Sequence, residues 1–190
     1  MGRPSKRDER RRELVAAFAR VLADHGYAGA TVAAVAAEAG VAPGLVHHYF
    51  DGKHELLEAL LDSLLAGFRA RVRGFEHEGL EREGEGDPLL AYVDGALKLD
   101  ARADVTAARC WVGVLAEAVR DPALFRRVRG MVDVEIAAIQ RRSGGRLSDH
   151  DAGAILAYIL GALVLGAFAP KKVAGFAAPG LRRLVASLGG

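Results

Sequence analysis

The stretch from Thr31 to Lys53, TVAAVAAEAGVAPGLVHHYFDGK, constrains the chain more than any other. Val32, Val35, Ala36 and Ala39 recur at i, i+3, i+4 and i+7, which predicts a short helix with one apolar face. Thr31 just ahead offers an oxygen to that helix's free N–H groups, and Gly40 is placed to end it in the left-handed conformation. Val41 is expected to turn back towards the core. Pro43 suits the first position of a second helix, because its fixed φ is helical and its missing N–H would have had no partner there. That second helix is expected over Gly44 to Phe50. Two helices joined by a glycine turn present the start of the second to a surface while the first braces it. In nucleic-acid-binding versions that surface is the major groove, and elsewhere the same unit is an ordinary piece of an all-α core.

The residue pattern resembles the tetracycline-repressor (TetR) family. The family's motif runs from a threonine through an apolar helix to A-G-V, a glycine one turn on, a Y-F ending, then a lysine and an acidic-leucine pair. This chain carries Thr31, Ala39-Gly40-Val41, Gly44, His48-Tyr49-Phe50, Lys53 and Glu55-Leu56 at the matching places. The resemblance implies that Thr31, Tyr49 and Lys53 grip phosphates, while Pro43, Gly44, Leu45, His47 and His48 face base edges. Two residues depart from the pattern. Ala42 replaces the frequent serine cap, a loss of about 1 kcal/mol of capping that Pro43 offsets in part. His47 replaces the frequent tyrosine, giving a His47-His48 pair whose donors depend on protonation.

The flanks extend this unit. Arg3 and Lys6 belong to a basic N-terminal arm of the kind that enters a minor groove, a solvated terminus being the plainer alternative. Leu14, Val15, Phe18, Val21 and Leu22 form a helical stripe from about Arg7 to His25, ended by Gly26. Lys53 opens the next helix, where free N–H groups and the helix dipole favour an anion. Leu56, Leu57, Leu60, Leu61, Leu64, Leu65 and Phe68 carry that helix to about Val72, long enough to transmit movement into a second module. The segment GFEHEGLEREGEGD, 74–87, lacks apolar periodicity and reads as a surface loop. His77 within it sits among carboxylates without ligand spacing, so no metal is expected.

Asp87-Pro88 and Asp121-Pro122 are cap-proline starts, predicting helices to about Leu99 and about Arg141 on either side of one over Val105–Val119. Ser148 with Asp151 has the spacing of a capping box. The run from Ala152 to Pro170 has no charged residue and is long enough to cross a bilayer. Its Ala and Gly content, with Gly153, Ala157 and Gly161 on one stripe, favours a helix buried between two subunits. A short last helix is expected over Leu181–Leu188. The resemblance agrees, since the family's last two helices form its dimer interface. Cys110-Trp111 and Asp121-Pro122-Ala123-Leu124-Phe125 look most like the choline-responsive, BetI-like branch.

Composition fits an all-α chain: 51% hydrophobic residues but only 6% aromatic ones, with a net charge of +2 that selects no partner. The single cysteine excludes an internal disulfide, and a charged N-terminus is unlike a secretory leader, so the cytoplasm is expected. No nucleophile elbow, phosphate loop or metal-spaced His and Glu is present, so no catalytic residue and no cofactor is expected.

The resulting expectation is an all-α protein with a three-helix helix-turn-helix domain (1–53) and a helical ligand-binding and dimerisation domain (54–190). It is expected to be a repressor released from palindromic double-stranded DNA by a small-molecule inducer. The alternatives are a regulator answering to a protein partner and a protein spanning a membrane at 152–170. Candidate pocket residues are Tyr92, Trp111, Met131, Tyr158 and Phe168, with Asp94 and Arg109 as polar anchors.

Overall fold

A computed structural model describes residues 5–83, 86–98 and 103–188, which contain nine helices and no strand. They are α1 (Lys6–Gly29), α2 (Val32–Ala39), α3 (Pro43–Tyr49), α4 (Lys53–Glu83), α5 (Pro88–Leu97), α6 (Ala103–Ala118), α7 (Pro122–Arg142), α8 (Asp149–Phe168) and α9 (Pro170–Leu188). Caps set most starts. Ser5 with Asp8 and Ser148 with Asp151 form reciprocal capping boxes, and Asp87 and Asp121 accept from the first N–H groups of α5 and α7. Gly26, at φ 67°, bends α1 before its last turn.

Two cores organise the packing. The first joins Leu14 and Phe18 of α1, Val35 of α2, Val46 of α3 and Leu57 of α4 to Cys110, Trp111 and Val114 of α6. The helix-turn-helix therefore shares its core with α6. The second gathers Val72 of α4, Tyr92 and Val93 of α5, Ile139 of α7, Ile155 and Ile159 of α8, and Leu181 of α9.

Two elements, α4 and α9, differ from the sequence reading. α4 does not stop near Val72 but continues through the Glu-rich segment to Glu83. Its extension is held from outside: Arg142 Nε donates to Glu76 Oε1 at 2.8 Å, and the Lys98 ammonium lies 5.6 Å from the Phe75 ring centroid. Periodicity along one strip of sequence carries no record of such contacts. α5 also runs flush against α4, since a Cβ on Gly95 would fall 2.6 Å from Val72 Cα. Glycine is required there. Finally, α9 begins at Pro170 and continues through Pro179 rather than starting at Leu181. Val173, Ala177, Ala178, Leu181 and Val185 give it a continuous buried stripe. Gly180 is overlain by the Tyr158 hydroxyl, 2.5 Å from where a Cβ would sit, so α8 and α9 approach closely there.

Helix α8 is long and apolar enough to cross a membrane by length and composition. One flank, with Ala152, Ile155, Ile159 and Ala162, is buried in the second core. The other carries Ala157, Gly161, Val164, Leu165 and Phe168 outwards, beside exposed Phe176 and Leu184 of α9.

Candidate functional site

The unit α2–α3 forms from its own caps. Thr31 Oγ1 accepts from Ala34 N–H at 3.1 Å, leaving its own O–H free to donate outwards. Gly40 takes the left-handed conformation at φ 66°, and Val41 N–H reaches back to Ala36 O at 2.9 Å, closing the turn. Ala42 precedes α3 without a side-chain cap, and Pro43 occupies its first turn. Val46 faces inward with Phe50, which leaves Pro43, Gly44, His47 and His48 exposed and Leu45 half-buried. Four of the five expected base-facing residues thus share the open side of one seven-residue helix, with Leu45 at its edge.

The expected phosphate residues flank it. Thr31 is exposed, and Tyr49 is half-buried with its ring edge against His48, centroids 5.0 Å apart. Lys53 lies at the first position of α4, its Nζ donating to Tyr27 O at 3.1 Å and sitting 4.1 Å above the Tyr27 ring. Burial raises the Tyr27 hydroxyl above its ordinary pKa, aided by Glu117 and Asp121, so the ring stays neutral beneath that ammonium. The anion place at the start of α4 is partly filled from within: Asp51 N–H donates to Glu55 Oε2 at 2.6 Å, the main reason the Glu55 pKa is lowered. Lys6 is exposed at the first turn of α1, and Arg3 lies outside the described residues.

The residue that holds this surface in place, Arg11, was not legible from the sequence. Its guanidinium donates to the Tyr49 carbonyl and to Glu55 Oε1 at 3.1 Å, and stacks 4.2 Å from the Phe50 ring centroid. It fastens the end of α3 and the start of α4 to α1. Arg20 adds a second fastening, from α1 to Glu38 of α2 at 2.5 Å. In sequence both are members of a basic tract or an isolated charge, with nothing to mark their distant partners.

Of the seven pocket candidates, the structure brings three together. Tyr92, Trp111 and Met131 line a cavity of about 40 Å³ with Phe68, Leu163 and Glu135. Tyr92 Oη donates to buried Glu135 Oε2 at 3.0 Å, and Arg69 pairs with Glu135 Oε1 at 3.3 Å. Burial, then the Glu135 charge, pushes the Tyr92 hydroxyl far above its ordinary pKa, so it remains a donor. The other four lie elsewhere. Asp94 is buried but bonded by Arg182 and by Lys98 at 2.9 Å. Arg109 is exposed and pairs with Asp24 of α1 at 3.5 Å. Tyr158 abuts Gly180, and Phe168, 78% exposed, ends α8 on the outer face. Cys110 is fully buried, donates to Ala19 O at 3.3 Å, and is pushed up to about 12 by burial, which makes it a packing residue.

Comparison with known proteins places this geometry. Residues 14–60, which contain the helix-turn-helix and its flanks, match the model of the bacterial regulatory proteins of the tetR family. The chain is 31% identical over 157 residues to the HTH-type transcriptional regulator BetI of Stenotrophomonas maltophilia, covering 83% of this chain and 78% of that protein. It is 33% identical over 120 residues to the BetI of Ectopseudomonas mendocina, a match that spans 60% of that relative's length and 63% of this chain. Among solved structures, a transcriptional regulator from Rhodococcus sp. Rha1 superposes with a TM-score of 0.79 at 24% identity, over 94% of this chain and 95% of that one, and shares its fold. The chain belongs to the TetR family of bacterial regulatory proteins.

Proposed function

We propose that the protein is a cytoplasmic transcriptional repressor that binds palindromic double-stranded DNA as a homodimer and is released by a small molecule held in its C-terminal half. The observation that carries this reading is the exposed row Pro43, Gly44, His47 and His48 on α3, braced by Arg11 and flanked by Thr31, Tyr49 and Lys53. The two roles are separable: phosphate contacts set affinity and its salt dependence, and base contacts set sequence choice.

The dimer is proposed through α8 and α9. Support comes from the outward apolar face of Leu165, Phe168, Phe176 and Leu184, and from Gly153 and Gly161, around which no atom would meet an added Cβ. A twofold axis there sets two recognition helices one or more helical turns apart, about 34–36 Å or a multiple. A ligand preferring a different spacing by ~1–3 kcal/mol would change DNA affinity roughly 5- to 150-fold. Tyr92, Trp111 and Met131 are proposed to sense it; their cavity is small, so a ligand must open it.

The test is selection of bound sites from random duplex DNA by the purified protein, with its oligomeric state measured beforehand. One enriched palindrome bound by a soluble dimer is the expected result. No enrichment overturns the DNA-binding reading, and a protein recovered only in detergent overturns the dimer reading of α8 in favour of a membrane span.

A further inference from the structure

A larger cavity than the one at Trp111 lies where the end of α5 and the start of α6 meet α8 and the first turn of α9. Its volume is about 360 Å³, and Leu97, Val105, Leu163 and Val173 form its walls. That is within the ~300–1,000 Å³ range of small-molecule sites, so a ligand fits without prior rearrangement. Among the described residues the wall has a single charged side chain, Lys171, which is exposed and has no ion-pair partner. Lys171 follows Pro170 at the opening of α9, so the positive end of the helix dipole lies beside its ammonium. No other polar side chain among the described lining residues is available to recognise a neutral hydrogen-bonding group. The described part of these walls complements an apolar body with one anionic end.

We propose that this cavity binds a hydrophobic monocarboxylate, its carboxylate on Lys171 Nζ and its hydrocarbon body towards Leu163. This is a second site beside the Trp111 cavity, with which it shares Leu163, and it rests on the ligand-released repressor reading for its regulatory consequence alone. The route to the DNA unit is short. On α6, Val105 and Ala108 line the cavity, while Cys110 bonds Ala19 of α1 and Gly113 lies against the Leu22 side chain, 3.4 Å from where a Cβ would stand. An occupant that shifts α6 therefore shifts α1. Leu163 also lines the Trp111 cavity, and Trp111 is the chain's single tryptophan, so its emission reports on the site.

The test titrates the full-length protein with hexanoate, octanoate and decanoate, following Trp111 emission and heat of binding, with octanol and octylamine as controls of equal chain length. At least one acid is expected to bind saturably, with one site per chain, and octanoate three- to tenfold tighter than octanol; octylamine is expected not to bind. Lys171→Ala should weaken the acids three- to tenfold and leave octanol unchanged. Ala174→Trp, at an exposed position on the rim, should block acids and octanol alike, with circular dichroism checking that the fold is kept. The proposal is overturned if no acid binds, if octanoate and octanol bind equally, or if Lys171→Ala changes nothing. An acid that binds through Lys171 yet leaves selected DNA bound supports the site and sinks the release reading. DNA released by other small molecules, with no acid bound, sinks the site and spares the release reading.

Discussion

Replacing Arg11 by alanine tests how the recognition surface is held. The guanidinium makes three contacts at once. The bond to the Tyr49 carbonyl is charge-assisted and worth about 1.5–3 kcal/mol. The pair with Glu55, both side chains about a third exposed at 34% and 38%, is worth about 0.2–1 kcal/mol. Stacking on Phe50 adds about 0.5–1 kcal/mol. One group makes all three and water replaces part of the loss, so the net effect should lie near the lower end, about 2 kcal/mol. At 2–4 °C per kcal/mol for a chain of this size, Tm should fall by about 4–8 °C. The assay is thermal unfolding by far-ultraviolet circular dichroism at one fixed protein concentration, because dimer dissociation shifts Tm by mass action. Arg11→Lys keeps the cation over Phe50 but loses the planar fork, and should recover about half of the loss. DNA affinity should drop with sequence preference unchanged. A Tm within about 1 °C of the parent for Arg11→Ala would refute the bracing role.

Other perturbations separate the remaining roles. Tyr49→Phe and Lys53→Ala should weaken binding to all duplexes, and Lys53→Ala alone should also flatten its dependence on salt, whereas His47→Ala should change the sites recovered by selection; unchanged sites would remove His47 from the base contacts. Gly95→Ala forces a Cβ to 2.6 Å from Val72 Cα, backbone against backbone, and should destabilise the fold by about 3 kcal/mol in urea titration; a neutral result would mean that α4 and α5 are not so closely apposed. The Asp121 pKa is lowered, mainly by the Leu124 N–H and next by the Ala123 N–H after the opposing effect of burial. A lowered folded value makes its contribution complete above pH 3.8, the ordinary carboxylate value, and lost as pH falls from there through the folded value. Asp121→Ala should therefore flatten the acid limb of a stability-against-pH curve; an unchanged limb would remove the cap from the acid response.

Helix starts were legible because their chemistry is local. Thr31, Asp87-Pro88, Asp121-Pro122 and the Ser148–Asp151 box each satisfy N–H groups within three residues, and each caps where the sequence places it. The exposed row on α3 was legible for the same reason, since a seven-residue helix with Val46 and Phe50 inward has one open side. Contacts between distant residues were not. The extension of α4 depends on Arg142 and Lys98, reached from other helices, and α9 is continuous through Pro179 because its buried stripe outweighs the break. Asp94 and Arg109 illustrate the same limit for the pocket. A polar residue on an apolar helix signals that it has a partner, and here the partners are Arg182 and Asp24 rather than a ligand.

The flush contact between Val72 and Gly95 has a mechanical consequence. With backbone pressed on backbone, α4 cannot slide past α5 at that point, but it can pivot there. Val72 is then a fulcrum, and the arm from it to Lys53 is about 28 Å at 1.5 Å per residue. A swing of about 7° on that arm carries the α3 end through roughly 3.4 Å, the rise of one base pair. Stiffness of the arm and hardness of the pivot, more than softness anywhere in the chain, would then set how small a displacement among the C-terminal helices is geared up to a full step along DNA.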